Sequence, residues 1–251
     1  MGAIIWPWTI EGTSGANDSS WANTVLLLGC NGTNGSFTFT DESAAAHGTG
    51  TVESGASVDT SSKVFGTGSM RLDSGFNDQV RWDDSADWTL GTSDFTIEMF
   101  VRFSDVTVGQ FMVTHYNTVS NQRAWTFEAN LSAVPKTLSF SATASGSVGT
   151  TQIVVGNWSP TQDTWYYVCA ERSGNTFRIY AGSPGGSTTM IDKQTNAINI
   201  FDSTAQLRVS GTGNAAGCMN GNLDEIRITK NTARYANDSG YPVPTAAFPR
   251  S

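Results

Sequence analysis

The segment Asp94-Phe-Thr-Ile-Glu-Met-Phe-Val-Arg-Phe-Ser104 constrains the fold of this chain more than any other stretch. Phe95, Ile97, Met99, Val101 and Phe103 alternate with Thr96, Glu98 and Arg102, which places the apolar set on one face of a β-strand. The second set, with Phe100 as its one apolar member, is expected to look toward a wetter side. A single strand cannot cover its own apolar face, so a second sheet must do so.

The rest of the chain supplies strands and turns. Val25-Leu-Leu-Leu28, within Thr24 to Gly29, predicts a strand buried on both faces. Asn31-Gly32 and Asn34-Gly35 are turn pairs, Phe37-Thr-Phe39 alternates again, and Asp41 to His47 reads as a loop. Glycines punctuate Lys63 to Asp73 and the run Asp78 to Trp82 that follows it. Further strands are expected at Gly109 to Thr114, Trp125 to Glu128, Thr137 to Ala142, Gln152 to Val155, Met190 to Asp192 and Gln206 to Ser210. Trp165 to Arg172 turns back at Ser173-Gly-Asn175 into Thr176 to Tyr180, a hairpin with Phe177 and Ile179 on one face. A dozen or so short strands with frequent turns imply an all-β, two-sheet antiparallel jelly-roll sandwich. The 26 glycines and 14% charged residues suit that class. No linker interrupts the middle, so one domain is expected over residues 21–238, between an extended arm at 1–20 and an extended tail at 239–251.

The arm carries Trp6-Pro7-Trp8, which Pro7 holds extended, so Trp6 and Trp8 are candidates to dock in a groove of this domain or of a partner. Fourteen basic against 22 acidic residues give a net charge of -8, which argues against nucleic acid as a partner. The start Met1-Gly-Ala-Ile-Ile-Trp-Pro-Trp lacks the pattern of a secretory signal, and no apolar run reaches the length of a membrane span. Synthesis in a cytoplasm, without membrane insertion, is the expectation. Cys30, Cys169 and Cys218 are odd in number and form no CxxC, so buried free thiols are expected rather than disulfides or zinc.

Leu26-Leu-Leu28 with Asn31-Gly32, Phe65-Gly-Thr-Gly-Ser-Met-Arg-Leu-Asp73, the segment from Asp94 to Phe103, Trp165 to Arg172 and Asn222-Leu-Asp-Glu-Ile-Arg-Ile228 follow one another as the motifs of a laminin-G-like domain do. The resemblance runs over roughly Val25 to Tyr235 and implies the concanavalin-A-like jelly roll of lectins and glucanases. The ending, with Ile226 to Lys230, Ala233-Arg-Tyr235 and Pro242 to Pro249, is similar to that of such domains in bacteriophage virion proteins. The resemblance also implies a structural calcium ion where the first and last strands meet. Asp224 matches the family's closing Asp, and Asp41 is a further candidate ligand. Gly29-Cys-Asn-Gly32 stands where the opening motif usually reads Phe-Asp-Gly, and a thiol is a poor calcium ligand.

A glucanase of this superfamily would need carboxylates at Glu-x-Asp-x-x-Glu spacing, and the chain contains no Glu-x-Asp. Serine-hydrolase, HExxH and phosphate-loop motifs are missing too, and His47 and His115 are the only histidines. A non-enzymatic protein is therefore expected. Sugar binding would use exposed aromatic rings beside amides and carboxylates. Trp125 and Trp165 match core positions and Trp88 staples a loop, which leaves Trp158, Trp82, His115 and Tyr116 as candidate ligand-binding residues.

The leading expectation is a bacteriophage virion surface protein, a decoration or cement protein of the capsid or a tail-associated one. It would be made in the host cytoplasm, dock onto virion proteins by its arm, repeat as a homo-oligomer and touch host glycans. The alternatives are a carbohydrate-binding module of a secreted or surface protein and a glycan-cleaving enzyme.

Overall fold

The structure, a computed structural model, describes residues 17–147 and 149–251. Its strands are β1 (Thr24–Leu28), β2 (Thr51–Glu53), β3 (Ser57–Asp59), β4 (Ser69–Leu72), β5 (Gln79–Trp82), β6 (Phe95–Phe103), β7 (Gly109–Asn117) and β8 (Gln122–Asn130), followed by β9 (Thr137–Ala142), β10 (Thr151–Asn157), β11 (Trp165–Ser173), β12 (Thr176–Gly182), β13 (Thr188–Thr195), β14 (Leu207–Val209) and β15 (Gly221–Lys230). They form two antiparallel sheets. One has eight strands in the order β13-β12-β11-β6-β15-β4-β3, with β1 also on β15; the other has seven in the order β10-β9-β8-β7-β14-β5-β2. The sheets pack face to face. Ile97, Val101, Val168, Ile179 and Ile228 of the first meet Phe127, Leu138, Phe140 and Val80 of the second in one core.

The anchoring strand β6 is central, between β11 and β15, and its odd positions point into this core as expected. Its other face is a correction to the expectation of a wet side: Thr96, Glu98 and Phe100 are all 0% exposed. Residues 231–251 lie back over that face, where Val243 and Phe248 join Leu27, Phe100, Tyr167 and Tyr180 in a second apolar cluster. Strong hydrogen bonds fix this strap. Glu171 accepts from the backbone N–H groups of Tyr235 (2.8 Å) and Ala236 (2.7 Å), and Glu225 accepts from Phe248 N (2.8 Å). Asp18 lay within the expected arm, yet it is buried, paired with Arg234 (2.7 Å) and Arg227 (3.2 Å). Its backbone N–H donates to the Ser251 carbonyl (2.8 Å), which brings the start of the described chain beside its end. Trp6 and Trp8 lie outside the described residues.

Phe37-Thr-Phe39 forms no strand; a single bridge from Thr40 to Thr49 follows it, and Phe37 is exposed. The strands β2 and β3 carry one apolar residue each, too few for an alternation to be read. All three cysteines are free and buried, as expected. No helix among the described residues is long and apolar enough to cross a membrane.

Candidate functional site

At one end of the seven-stranded sheet the chain leaves β7 at Asn117, makes a short 3-10 turn at Val119–Asn121 and returns in β8, pairing Asn117 with Gln122. The turn is built by its own side chains and backbone. Asn117 Oδ1 accepts from Val119 N (2.8 Å), and Ser120 and Asn121 take left-handed φ values of 59° and 58°. Two other segments close on it. Gln122 Oε1 accepts from Thr204 N (2.7 Å), fastening the approach to β14, and Gly213 N donates to the Tyr116 carbonyl (3.0 Å). A Cβ at Gly213 would come within 2.6 Å of the Asn117 side chain, so glycine permits this closure.

The result is a cleft of about 330 Å³ lined by Tyr116, Asn117, Gln122, Gln206, Arg208 and their neighbours. The ring of Tyr116 is half-buried, Val119 at the rim is exposed, and the Tyr116 hydroxyl and the Asn117 amide nitrogen have no hydrogen-bond partner among the described residues. At the floor, the Arg208 guanidinium donates to Glu53 and to Gln79 Oε1, and through Nη2 to Gln206 Oε1 (3.0 Å). Glu53 also accepts from Arg81 (2.6 Å). Partial burial works against ionisation of Glu53, but the hydrogen bonds and charges of Arg208 and Arg81 win and hold its carboxyl below the ordinary value.

Of the four residues expected to be exposed for ligand binding, Tyr116 lies in this cleft and the other three do not line it. His115 is fully buried one residue earlier, because successive residues of β7 face opposite sides and its ring takes the inward one while Tyr116 takes the outward one. Its Nε2 lies 2.8 Å from the Ala205 carbonyl, which can only accept, and 3.5 Å from Asp84 Oδ1, while Nδ1 is buried without a partner. His115 thus stands behind the cleft wall rather than in it. Trp82 is buried as well, its Nε1 donating to the Gly48 carbonyl (3.1 Å), since it pairs with Leu207 on the core side of β5. Trp158 is half-buried, edge-on to Phe103 and Tyr166, and follows β10 at the far end of the same sheet. The length of β7 separates the two ends by about 26 Å, so Trp158 and Tyr116 cannot serve one monosaccharide together.

Burial depresses the affinity of His115 for a proton, against the opposing pull of the Ala205 carbonyl and Asp84. The unfolded imidazole titrates near 6.5. Stability conferred by the neutral ring is therefore full above that pH and is lost as the pH falls through it toward the folded value. With two histidines in the chain, an NMR pH titration assigns both directly; the His115 ring is expected to titrate below about 6.5, and a midpoint above that would contradict the buried geometry.

Asp41 and Asp224 do not fit a calcium ion. Asp41 accepts from Leu27 N and Ser43 N through Oδ1 and from Ser43 Oγ and His47 N through Oδ2, all at 2.9 Å, so both oxygens already face protons. Asp224 Oδ2 accepts from Val64 N (2.8 Å) and Phe65 N (3.0 Å), and Oδ1 is buried without a partner. Burial pushes the Asp224 carboxyl up to about 7, and it pushes the neighbouring Cys30 thiol up as well, with the Asp224 charge as the second cause. Among the described residues no group of three or more His, Cys, Asp or Glu side chains converges.

Arg208, Gln122 and Gln206 were missed from the sequence. Gln122 opens β8, while Gln206 and Arg208 lie just before and within β14, and only the pairing of β7 with β8 and β14 gathers them. Glu98, the carboxylate of the anchoring strand, is sealed beneath the strap. Glu128 on β8 is half-buried, and burial raises its carboxyl while Ser141 (2.9 Å) and Ser139 (3.3 Å) donate to it.

Comparison with known proteins places this geometry. No curated protein matches the chain. Among solved structures it is similar to the binding domain of Paraclostridial Mosquitocidal Protein 1, at 17% identity and a TM-score of 0.61 over 88% of this chain and 51% of that one. It is similar also to the botulinum neurotoxin serotype C1 binding domain, at 13% identity and a TM-score of 0.57 over 88% and 51%. The chain thus spans about half the length of these two. A third likeness is to Domain 4 of AbnA, a GH43 extracellular arabinanase from Geobacillus stearothermophilus solved with arabinotriose, at 13% identity and a TM-score of 0.52 over 80% of this chain and 87% of that domain. At such identities the likeness is one of fold. The family model described as the concanavalin A-like lectin/glucanases superfamily matches residues 73–236, well over half of the sequence, and the chain belongs to that superfamily.

Proposed function

We propose that the chain is a non-catalytic binding module that holds a glycan in the Tyr116 cleft. The observation that carries this is the half-buried Tyr116 ring at the mouth of a preformed polar cleft, with its own hydroxyl and the Asn117 amide nitrogen unengaged among the described residues. Rings of this kind offer an apolar face to a sugar while adjacent amides bond its hydroxyls. The similar folds named above give support, since two are binding domains and the third was solved with an arabinose oligosaccharide. On a glycan array, Tyr116→Ala is expected to lose roughly tenfold or more in affinity for the best saccharide, about 1.4 kcal/mol. Trp158→Ala serves as the control at the other end of the sheet and is expected to bind as the unaltered chain does. The reverse ranking would move the site to Trp158.

The finer reading puts the module on a bacteriophage virion, in repeated copies on capsid or tail, attached through Trp6 and Trp8. Support comes from the similarity of its ending to those of virion proteins and from the hydrogen bond between Asp18 and Ser251, which sets the root of the arm beside the strap. Virions that still carry a chain lacking residues 1–16 would remove the arm from this reading.

A further inference from the structure

We propose that the Tyr116 cleft selects uncharged saccharides and rejects carboxylated ones. This rests on the glycan-binding function proposed above and narrows its ligand class. Among the described residues lining the cleft, Arg208 alone is charged. An arginine at the floor of a sugar cleft would ordinarily suggest an acidic sugar, because a guanidinium pairs well with a carboxylate. Here three of the guanidinium's five N–H groups are already committed. Its Nη1 donates to the Glu53 carboxylate and to Gln79 Oε1, and its Nη2 to Gln206 Oε1. A carboxylated ligand that takes the Nη1 face would displace Glu53, leaving that carboxylate with Arg81 as its remaining partner.

The surroundings add repulsion. Asp83 accepts from Gln206 Nε2 (3.0 Å) on the cleft wall, Asp84 lies 3.5 Å from the ring of His115 behind it, and Asp202 precedes the Ser203 to Ala205 segment. With Glu53 these make four carboxylates, against Arg81, Arg208 and Arg123. Arg123, opposite Tyr116 across the strand pair, is turned to the loop, its Nη1 donating to the carbonyls of Ser147 (2.9 Å) and Gly146 (3.2 Å) and to Asn121 Oδ1 (3.2 Å). Residues 1–16 contain no lysine or arginine. A neutral sugar meets none of this repulsion and can use the Tyr116 ring, its hydroxyl and the Asn117 amide.

The test is a glycan array of the full chain that carries neutral oligosaccharides and matched versions bearing sialic or uronic acid, read at low and at high salt. The expected result is retention of neutral saccharides with a signal unchanged by salt, and binding of the carboxylated versions weaker by roughly tenfold or more at low salt. Preference for the carboxylated versions, lost at high salt, would overturn this inference while leaving the binding function standing. No signal from any saccharide would overturn both.

Discussion

Replacing Glu98 with alanine is expected to lower the unfolding free energy by about 3–5 kcal/mol, the cost of leaving a buried charge without its partner. Glu98 Oε1 accepts from Arg227 Nε (2.9 Å) and Nη2 (2.8 Å), and Oε2 accepts from the hydroxyls of Tyr167 (2.5 Å) and Tyr235 (2.7 Å). Removing the carboxylate strands the Tyr235 hydroxyl, leaves that of Tyr167 with only the Tyr241 hydroxyl at 3.2 Å, and leaves Arg227 with Asp18 alone, at 3.2 Å, beneath the ring of Phe248. Because Tyr235 and Phe248 belong to residues 231–251, the loss should loosen the strap first. Urea denaturation followed by tryptophan fluorescence measures it, and Glu98→Gln, which keeps the shape and an acceptor, should lose less. A Glu98→Ala change of under about 1 kcal/mol would mean that the network does not hold the strap.

Gly221→Ala is expected to cost about 3 kcal/mol, again by denaturation. Gly221 opens β15 between β6 and β4, opposite Phe103 on one side and Leu72 on the other. Its φ of 151° disfavours any side chain, and an added Cβ would lie 2.0 Å from the Arg102 carbonyl oxygen, a backbone atom that cannot swing aside. Gly149, where an added Cβ meets nothing within 4 Å, is the control and should tolerate alanine with little change. Equal stability of the two variants would contradict the close approach of β15 to β6.

The inward face of β6 was legible because its alternation is uninterrupted from Phe95 to Phe103, and the hairpin of β11 and β12 because Ser173-Gly-Asn175 marks its turn. The outward face of β6 was not. Thr96 and Glu98 read as wet since their partners, Arg227, Tyr235 and Thr232, lie more than a hundred residues along the chain. No local pattern announces a strap. At the candidate site, Tyr116 was recoverable as an aromatic at a strand end, but the facing of its neighbour His115 follows a bulge earlier in β7, at Met112, which shifts the alternation by one residue and leaves no mark in composition. Trp82 failed for a related reason: its side of β5 is set by pairing with β14. The polar half of the cleft, Gln122, Gln206 and Arg208, consists of residues unremarkable singly, and register alone brings them to Tyr116.

The central claim, that a neutral glycan sits against Tyr116, is tested most directly by NMR titration of the best array saccharide into the full chain. The account predicts backbone shifts concentrated at residues 116–122 and 204–208, with those around Trp158 and Lys136 unmoved. Shifts concentrated at Trp158 and Lys136 instead, with residues 116–122 silent, would contradict it.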